Sequence, residues 1–304
     1  MLLFIEQLLN GLQLGIMLFL MSAGLTLVFG IMQVINLAHG SFYMIGAYVG
    51  ATVTSRTGSF LLGVLAALAA AALAGMVVEL LVLRRLYTKD HLDQVLATFG
   101  LIMFFNELTR IIWGRQPLFM DVPAWLSGSI ALIPGIPYPS YRLAVIAVGV
   151  LVALLLYLLF TRTRIGMQIR AGADNREIAG ALGVNIRLLY TLVFGLGTLL
   201  AGLAGVMAGP ILAVEAGMGE SILILTFVVI VIGGIGSIRG ALVGALLVGL
   251  VDTLGRVFLP LLLRLFLSPA YADGAAASLA SMSVYLLMAA ILVWRPKGLL
   301  PAHG

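Results

Sequence analysis

The sequence predicts an all-α, polytopic bundle of membrane-spanning helices, and three observations carry that prediction. First, 62% of the 304 residues are hydrophobic and only 10% are charged, against roughly 25% charged in soluble domains. So few polar groups cannot cover a water-facing surface, so the solvent is mostly lipid. Second, the apolar residues gather in runs close to the ~20 that a helix needs to cross hydrocarbon. Third, 36 glycines fit such a bundle, because small residues let membrane helices approach closely.

Taken in order, the runs 8–30, 38–55, 60–83, 94–113, 143–160, 188–209, 221–237, 240–258 and 278–294 read as spans, giving about eight or nine crossings. The first is a retained helix rather than a signal peptide, because MLLFIEQLLNGLQ carries Glu6 and no basic region. The pairs 8–30/38–55 and 221–237/240–258 are separated by short linkers. Each pair is open to two readings: two crossings, or a broken helix or re-entrant segment near 31–40 and 232–240. The whole of 1–304 reads as a single transmembrane domain.

Lysine and arginine set the orientation. One set of loops holds Arg84, Arg85, Lys89, Arg162, Arg164, Arg170, Arg176, Arg187, Arg239, Arg295 and Lys297. Arg56, Arg115, Arg142 and Arg264 lie on the other side. The richer set is cytoplasmic by the positive-inside rule, so the N-terminus faces out and the C-terminus in. The external loop 114–142 holds five of the ten prolines, Pro117, Pro123, Pro134, Pro137 and Pro139, which stiffen it and block helix continuation. It reads either as a docking surface for an external partner or as a rigid connector.

Several function classes are excluded. The chain has no cysteine, hence no disulfide or thiolate metal site. No G-x-x-x-x-G-K-[ST] exists, and the only lysines are Lys89 and Lys297, so the chain is not itself a P-loop ATPase. His39, His91 and His303 are far apart without metal-motif spacing. No nucleophile motif appears, so the chain reads as a non-enzyme that binds no cofactor or metal. The net charge of +5 reports orientation, not nucleic-acid binding. Glu107/Arg110 and Asp252/Arg256 have helix-face spacing, and Glu79 lies beside Arg84. These buried charges are expected to neutralise one another. No unpaired carboxylate at mid-membrane stands out, which counts against a proton-coupled secondary transporter.

The stretch Arg162–Arg187 is the longest polar segment of the chain and carries five arginines. Within it Glu177, Ala179 and Gly183 form an E-x-A-x-x-x-G spacing. Asp174 or Asn175 can cap a helix starting near Arg176, and Gly183 can end it. Glu177 then sits at the positive end of the helix dipole. Ala179 and Gly180 leave room for a partner's surface. This cytoplasmic loop, 162–187, is either a handle presented to another protein or an ordinary charged loop.

The segment is similar to the coupling loop of bacterial ABC importer permeases, E-A-A-x-x-x-G, with Ile178 departing at the second position. The run Gly24–Gly50, GLTLVFGIMQVINLAHGSFYMIGAYVG, resembles the branched-chain amino acid permease family of the LivH type. The ending Arg295-Pro296-Lys297-Gly298-Leu299 resembles that family's R-P-x-G-L tail. The short N-terminus favours LivH over its sister LivM. The resemblance implies a bacterial plasma (inner) membrane location and four partners: a second, LivM-like permease subunit, two ABC ATPase subunits that carry ATP and Mg, and an external substrate-binding protein. It also implies ATP-driven alternating access for branched-chain or other hydrophobic amino acids. A urea or short-amide permease of the same family remains an alternative, as does a stand-alone secondary transporter in which the 174–185 helix is idle.

Candidate pathway residues come from an internal echo. His39-Gly40-Ser41-Phe42 and Arg239-Gly240-Ala241-Leu242 each open an apolar run after a helix-weakening segment, and interrupted helices in two halves point to a transport site. Asn36, His39, Gly40, Ser41, Gly233, Gly234 and Gly236 are therefore the candidates. Asn36 and His39 have a second reading, a turn in which Asn36 caps the next helix. Tyr43 and Tyr48 read as packing aromatics.

Overall fold

A computed structural model of the chain describes residues 2–302 apart from Ile35, Thr88, Pro134 and Gly135. Pro134 of the external loop and His303 thus lie outside the described residues. All nine predicted runs are helices: α1 (Leu2–Met32), α2 (His39–Thr57), α3 (Phe60–Leu81), α4 (His91–Trp113), α5 (Ser140–Arg162), α8 (Ile186–Ala208), α9 (Met218–Gly233), α10 (Ile238–Leu263) and α11 (Pro269–Trp294). The polar stretch between α5 and α8 forms α6 (Arg164–Asp174) and α7 (Arg176–Ala181).

Among the described residues, seven helices are long and apolar enough to cross a membrane, and α9 is a shorter apolar helix. The helix left out of that set is α2. It carries His39, Ser41, Thr52, Thr54, Ser55 and Arg56, too polar for lipid, and most of its length is buried by protein instead. The estimate of eight or nine spans therefore resolves into seven full-length spans, the short α9, and α2 with its protein-covered surface.

The chain divides into two compact units. The larger holds residues 20–123 and 151–225. Here α2, α3 and α8 pack on one another. Gly24 meets Gly197, and Gly46 meets Gly202, so closely that a Cβ on either of Gly24 or Gly46 would overlap its partner's backbone. Phe42 anchors an aromatic cluster, with Phe105 and Phe194 each 5.8 Å away between ring centroids. At the end of α3 the fully buried Glu79 accepts from Arg84 Nε and Nη2 at 3.2 and 3.1 Å, from Tyr87 Oη at 2.7 Å and from Thr191 Oγ1 at 2.7 Å. This is the neutralised carboxylate the sequence predicts. Glu107 and Arg110 also pair, but both side chains are exposed, at 64% and 45%, so the expectation of burial fails there. They sit on a face of α4 that the described residues leave exposed.

The smaller unit holds residues 1–19, 124–150 and 226–304. In it α10 packs against α11, and the buried Asp252 accepts two bonds of 2.9 Å from Arg256. Part of the proline-rich loop forms a two-stranded hairpin. Strands β1 (Ser129–Ile133) and β2 (Ile136–Pro139) pair antiparallel, with a register shift between Ala131 and Ile133. In a two-stranded ribbon both strands are edges, where proline is tolerated. Tyr138 Oη donates to Asn10 Oδ1 at 3.2 Å, and Arg142 Nη1 donates to the same oxygen.

Candidate functional site

The polar segment folds into two helices with well-formed ends. Thr163 Oγ1 accepts from Gly166 N at 3.0 Å and starts α6. Asp174 is the last residue of α6, so the cap of α7 falls to Asn175, whose Oδ1 accepts from Glu177 N and Ile178 N at 3.0 Å each. At the other end Gly183 has φ +91°, and its N–H donates to Gly180 O while Val184 N donates to Ala179 O. This is a Schellman stop, which only a residue at ease with positive φ completes without strain. Asp174, Asn175, Arg176, Glu177 and Gly183 are exposed. Ala179 is not: it is 2% exposed and turns inward, so Gly180 alone of that pair leaves room for a partner. Ile178 and Leu182 stand out at 59% and 80% exposure, two apolar side chains on a charged helix.

The 31–40 junction is a true interruption. Helix α1 stops at Gln33, a non-glycine residue at φ +53°. Asn36 Oδ1 accepts from Ala38 N at 3.0 Å. Asn36 thus closes a turn, and the residue at the α2 cap position is Ala38. Asn36, His39, Gly40 and Ser41 are all buried. Among the described residues, the Asn36 amide nitrogen and the His39 ring nitrogens lack well-formed hydrogen bonds, the Met21 backbone being a polar group beside the ring. A Cβ on Gly24 would stand 3.1 Å from His39 Nε2, so the imidazole lies against the last third of the membrane-length helix α1, and polar groups buried on membrane helices are costly and usually functional.

The 232–240 junction is held differently. Gly233 ends α9, and Gly234 and Gly236 take φ +107° and +82°. Ser237 Oγ accepts from Gly240 N at 3.0 Å and starts α10. The C-terminal tail closes the junction: Leu299 N donates to Ile232 O and Leu300 N to Gly233 O, each at 2.9 Å. Those carbonyls are among the four that a helix end leaves unpaired. The R-P-x-G-L tail therefore acts as the C-terminal cap of α9.

Sequence reasoning missed one feature. A narrow cleft in the larger unit brings together Ser41 of α2, Asn106 of α4 and Glu220 of α9, and Asn106 Nδ2 donates to Glu220 Oε1. The run predicted at 221–237 begins one residue too late to include Glu220. A carboxylate directly before an apolar run was the available signal.

Comparisons with known proteins agree with the fold. A family model described as the permease component of the branched-chain amino acid transport system matches residues 7–293. The high-affinity branched-chain amino acid transport system permease protein BraD of Pseudomonas aeruginosa is 31% identical over 266 residues, covering 83% of this chain and 86% of that protein. The corresponding permease protein LivH of Escherichia coli K12 is 29% identical over 276 residues, covering 84% and 87%. The ribose import permease protein RbsC of the same organism is 27% identical over 246 residues, covering 77% and 72%. No solved structure matches the chain. With seven membrane-length helices and a family match over nearly its whole length, the chain belongs to the permease components of branched-chain amino acid transport systems.

Proposed function

We propose that the chain is one membrane-spanning subunit of an ABC importer for branched-chain or other hydrophobic amino acids, in a bacterial plasma (inner) membrane with its N-terminus outside and its C-terminus inside. The observation that supports an energised importer is α7. A helix of six residues is too short to persist on propensity alone. Yet it is capped at both ends and displays Ile178 and Leu182 outward between charged residues. Those side chains suit a cleft in an ABC ATPase subunit, with Arg176 and Glu177 at its rim. ATP and Mg are held on two such partners. Their closing and opening push α7 and rock the helices behind it, so that the pathway opens alternately to each side.

The second half of the pathway is a second, LivM-like permease subunit, and an external binding protein delivers substrate. The breaks at 31–40 and 232–240, with Asn36, His39, Gly40, Ser41, Gly233, Gly234 and Gly236, are the points where the pathway flexes. The similarity to a ribose import permease gives a sugar a claim as substrate, and urea or a short amide retains one.

Co-expression with the neighbouring ATPase genes tests the coupling role. Glu177→Lys and Gly183→Val should insert in the membrane normally but lose ATPase co-purification and uptake. Variants that keep both at the wild-type level would remove α7 from the mechanism.

A further inference from the structure

The cleft described above is lined by residues 37–44, by α4 and by the first turns of α9, all in the larger unit. The cleft is tightly closed, with no room for a water molecule, and Gly40 and Gly219 press together along one side. One wall is apolar, with Met44, Ile102 and Leu223 all buried. The other is polar, with Ser41, Asn106 and Glu220. Among the described residues no basic side chain pairs with Glu220, and its hydrogen-bond partner is the neutral amide of Asn106. Glu220 is half-buried in the first turn of α9, and a carboxylate bonded to a neutral amide gains a stronger, charge-assisted bond from a cation.

An α-amino acid supplies that cation. Its ammonium group is compact and carries three donors, as a lysine head does. On displacing Asn106 from Glu220, it frees the amide N–H of Asn106 for the substrate carboxylate, which the Ser41 hydroxyl also reaches as a donor. The aliphatic side chain faces the apolar wall. We propose that this cleft is a passage site for an aliphatic α-amino acid. Glu220 accepts the ammonium group, Asn106 and Ser41 donate to the carboxylate, and Met44, Ile102 and Leu223 receive the side chain. The Gly40–Gly219 seam closes the cleft in this structure and parts to admit substrate. This inference rests on the amino-acid importer reading above.

The test uses the full transporter with its partner subunits and binding protein in proteoliposomes, with L-leucine, L-alanine and ribose as probes. Glu220→Gln keeps a carbonyl acceptor for Asn106 but removes the charge. It should lower leucine uptake about tenfold or more, the scale of one hydrogen bond to a charged group. Glu220→Asp should restore part of the loss. If Glu220→Gln fails to assemble, Met44→Trp decides: filling the apolar wall should depress leucine uptake more than alanine uptake. Leucine uptake by Glu220→Gln at the wild-type rate would overturn the passage site while leaving the importer reading intact. A wild-type complex that takes up ribose and not leucine would overturn both.

Discussion

Gly40, at the start of α2, and Gly219, in the first turn of α9, meet backbone to backbone: a Cβ on either would overlap the carbonyl of the other. A methyl group placed there has nowhere to go. Gly40→Ala should destabilise the protein by about 1–3 kcal/mol, the usual range for overpacking. Thermal unfolding in detergent would measure it, and an unchanged midpoint would show that the seam is looser than described.

The capping of α7 separates local order from global stability. Asn175→Ala removes the acceptor for two backbone N–H groups and should cost about 1 kcal/mol within that helix. Hydrogen exchange should therefore quicken at α7 amides while those of α8 stay protected.

Glu79 and Arg84 form a pair whose two halves are not equivalent. Glu79 is fully buried and Arg84 about one-third exposed, at 34%. Arg84→Ala strands a buried carboxylate, and the loss should lie near the low end of about 3–5 kcal/mol, since Tyr87 and Thr191 still donate to it. Glu79→Gln combined with Arg84→Ala should be the milder change. A double-variant cycle on thermal stability checks the order.

The tail at Gly298–Leu300 supplies two backbone donors to the end of α9. Truncation after Pro296 would leave both carbonyls without partners, at about 1–3 kcal/mol each where water cannot reach them. Gly298→Ala should act in the same direction, because this residue sits at φ +83° with Gly234 immediately beside the position of its Cβ. Limited proteolysis at the 232–240 junction should become faster in both variants.

Much of this architecture is legible in the sequence because hydrophobic run length is a one-dimensional property. The helices, the two interruptions and the Asn175/Gly183 ends of α7 all follow from local chemistry. What escapes is whatever depends on neighbours distant in sequence. The inward turn of Ala179 depends on packing beside α8, and the exposure of Glu107/Arg110 depends on which face of α4 the chain covers. The hairpin at 129–139 was hidden by prolines, which read as breakers until strand pairing is seen. The Glu220 cleft joins residues 41, 106 and 220, and no local pattern links them. The tail motif was visible, but its role as a cap required Ile232 and Gly233 to be near it.

Leucine-stimulated ATPase activity of the reconstituted complex is the most direct measurement. The chain would be assembled in lipid with the ATPase and permease subunits encoded beside it and its binding protein, then challenged with leucine, isoleucine, valine, ribose and urea. Stimulation by the branched-chain amino acids, and not by ribose or urea, is the predicted result. Failure of any ATPase to co-purify, or stimulation by ribose or urea alone, would contradict it.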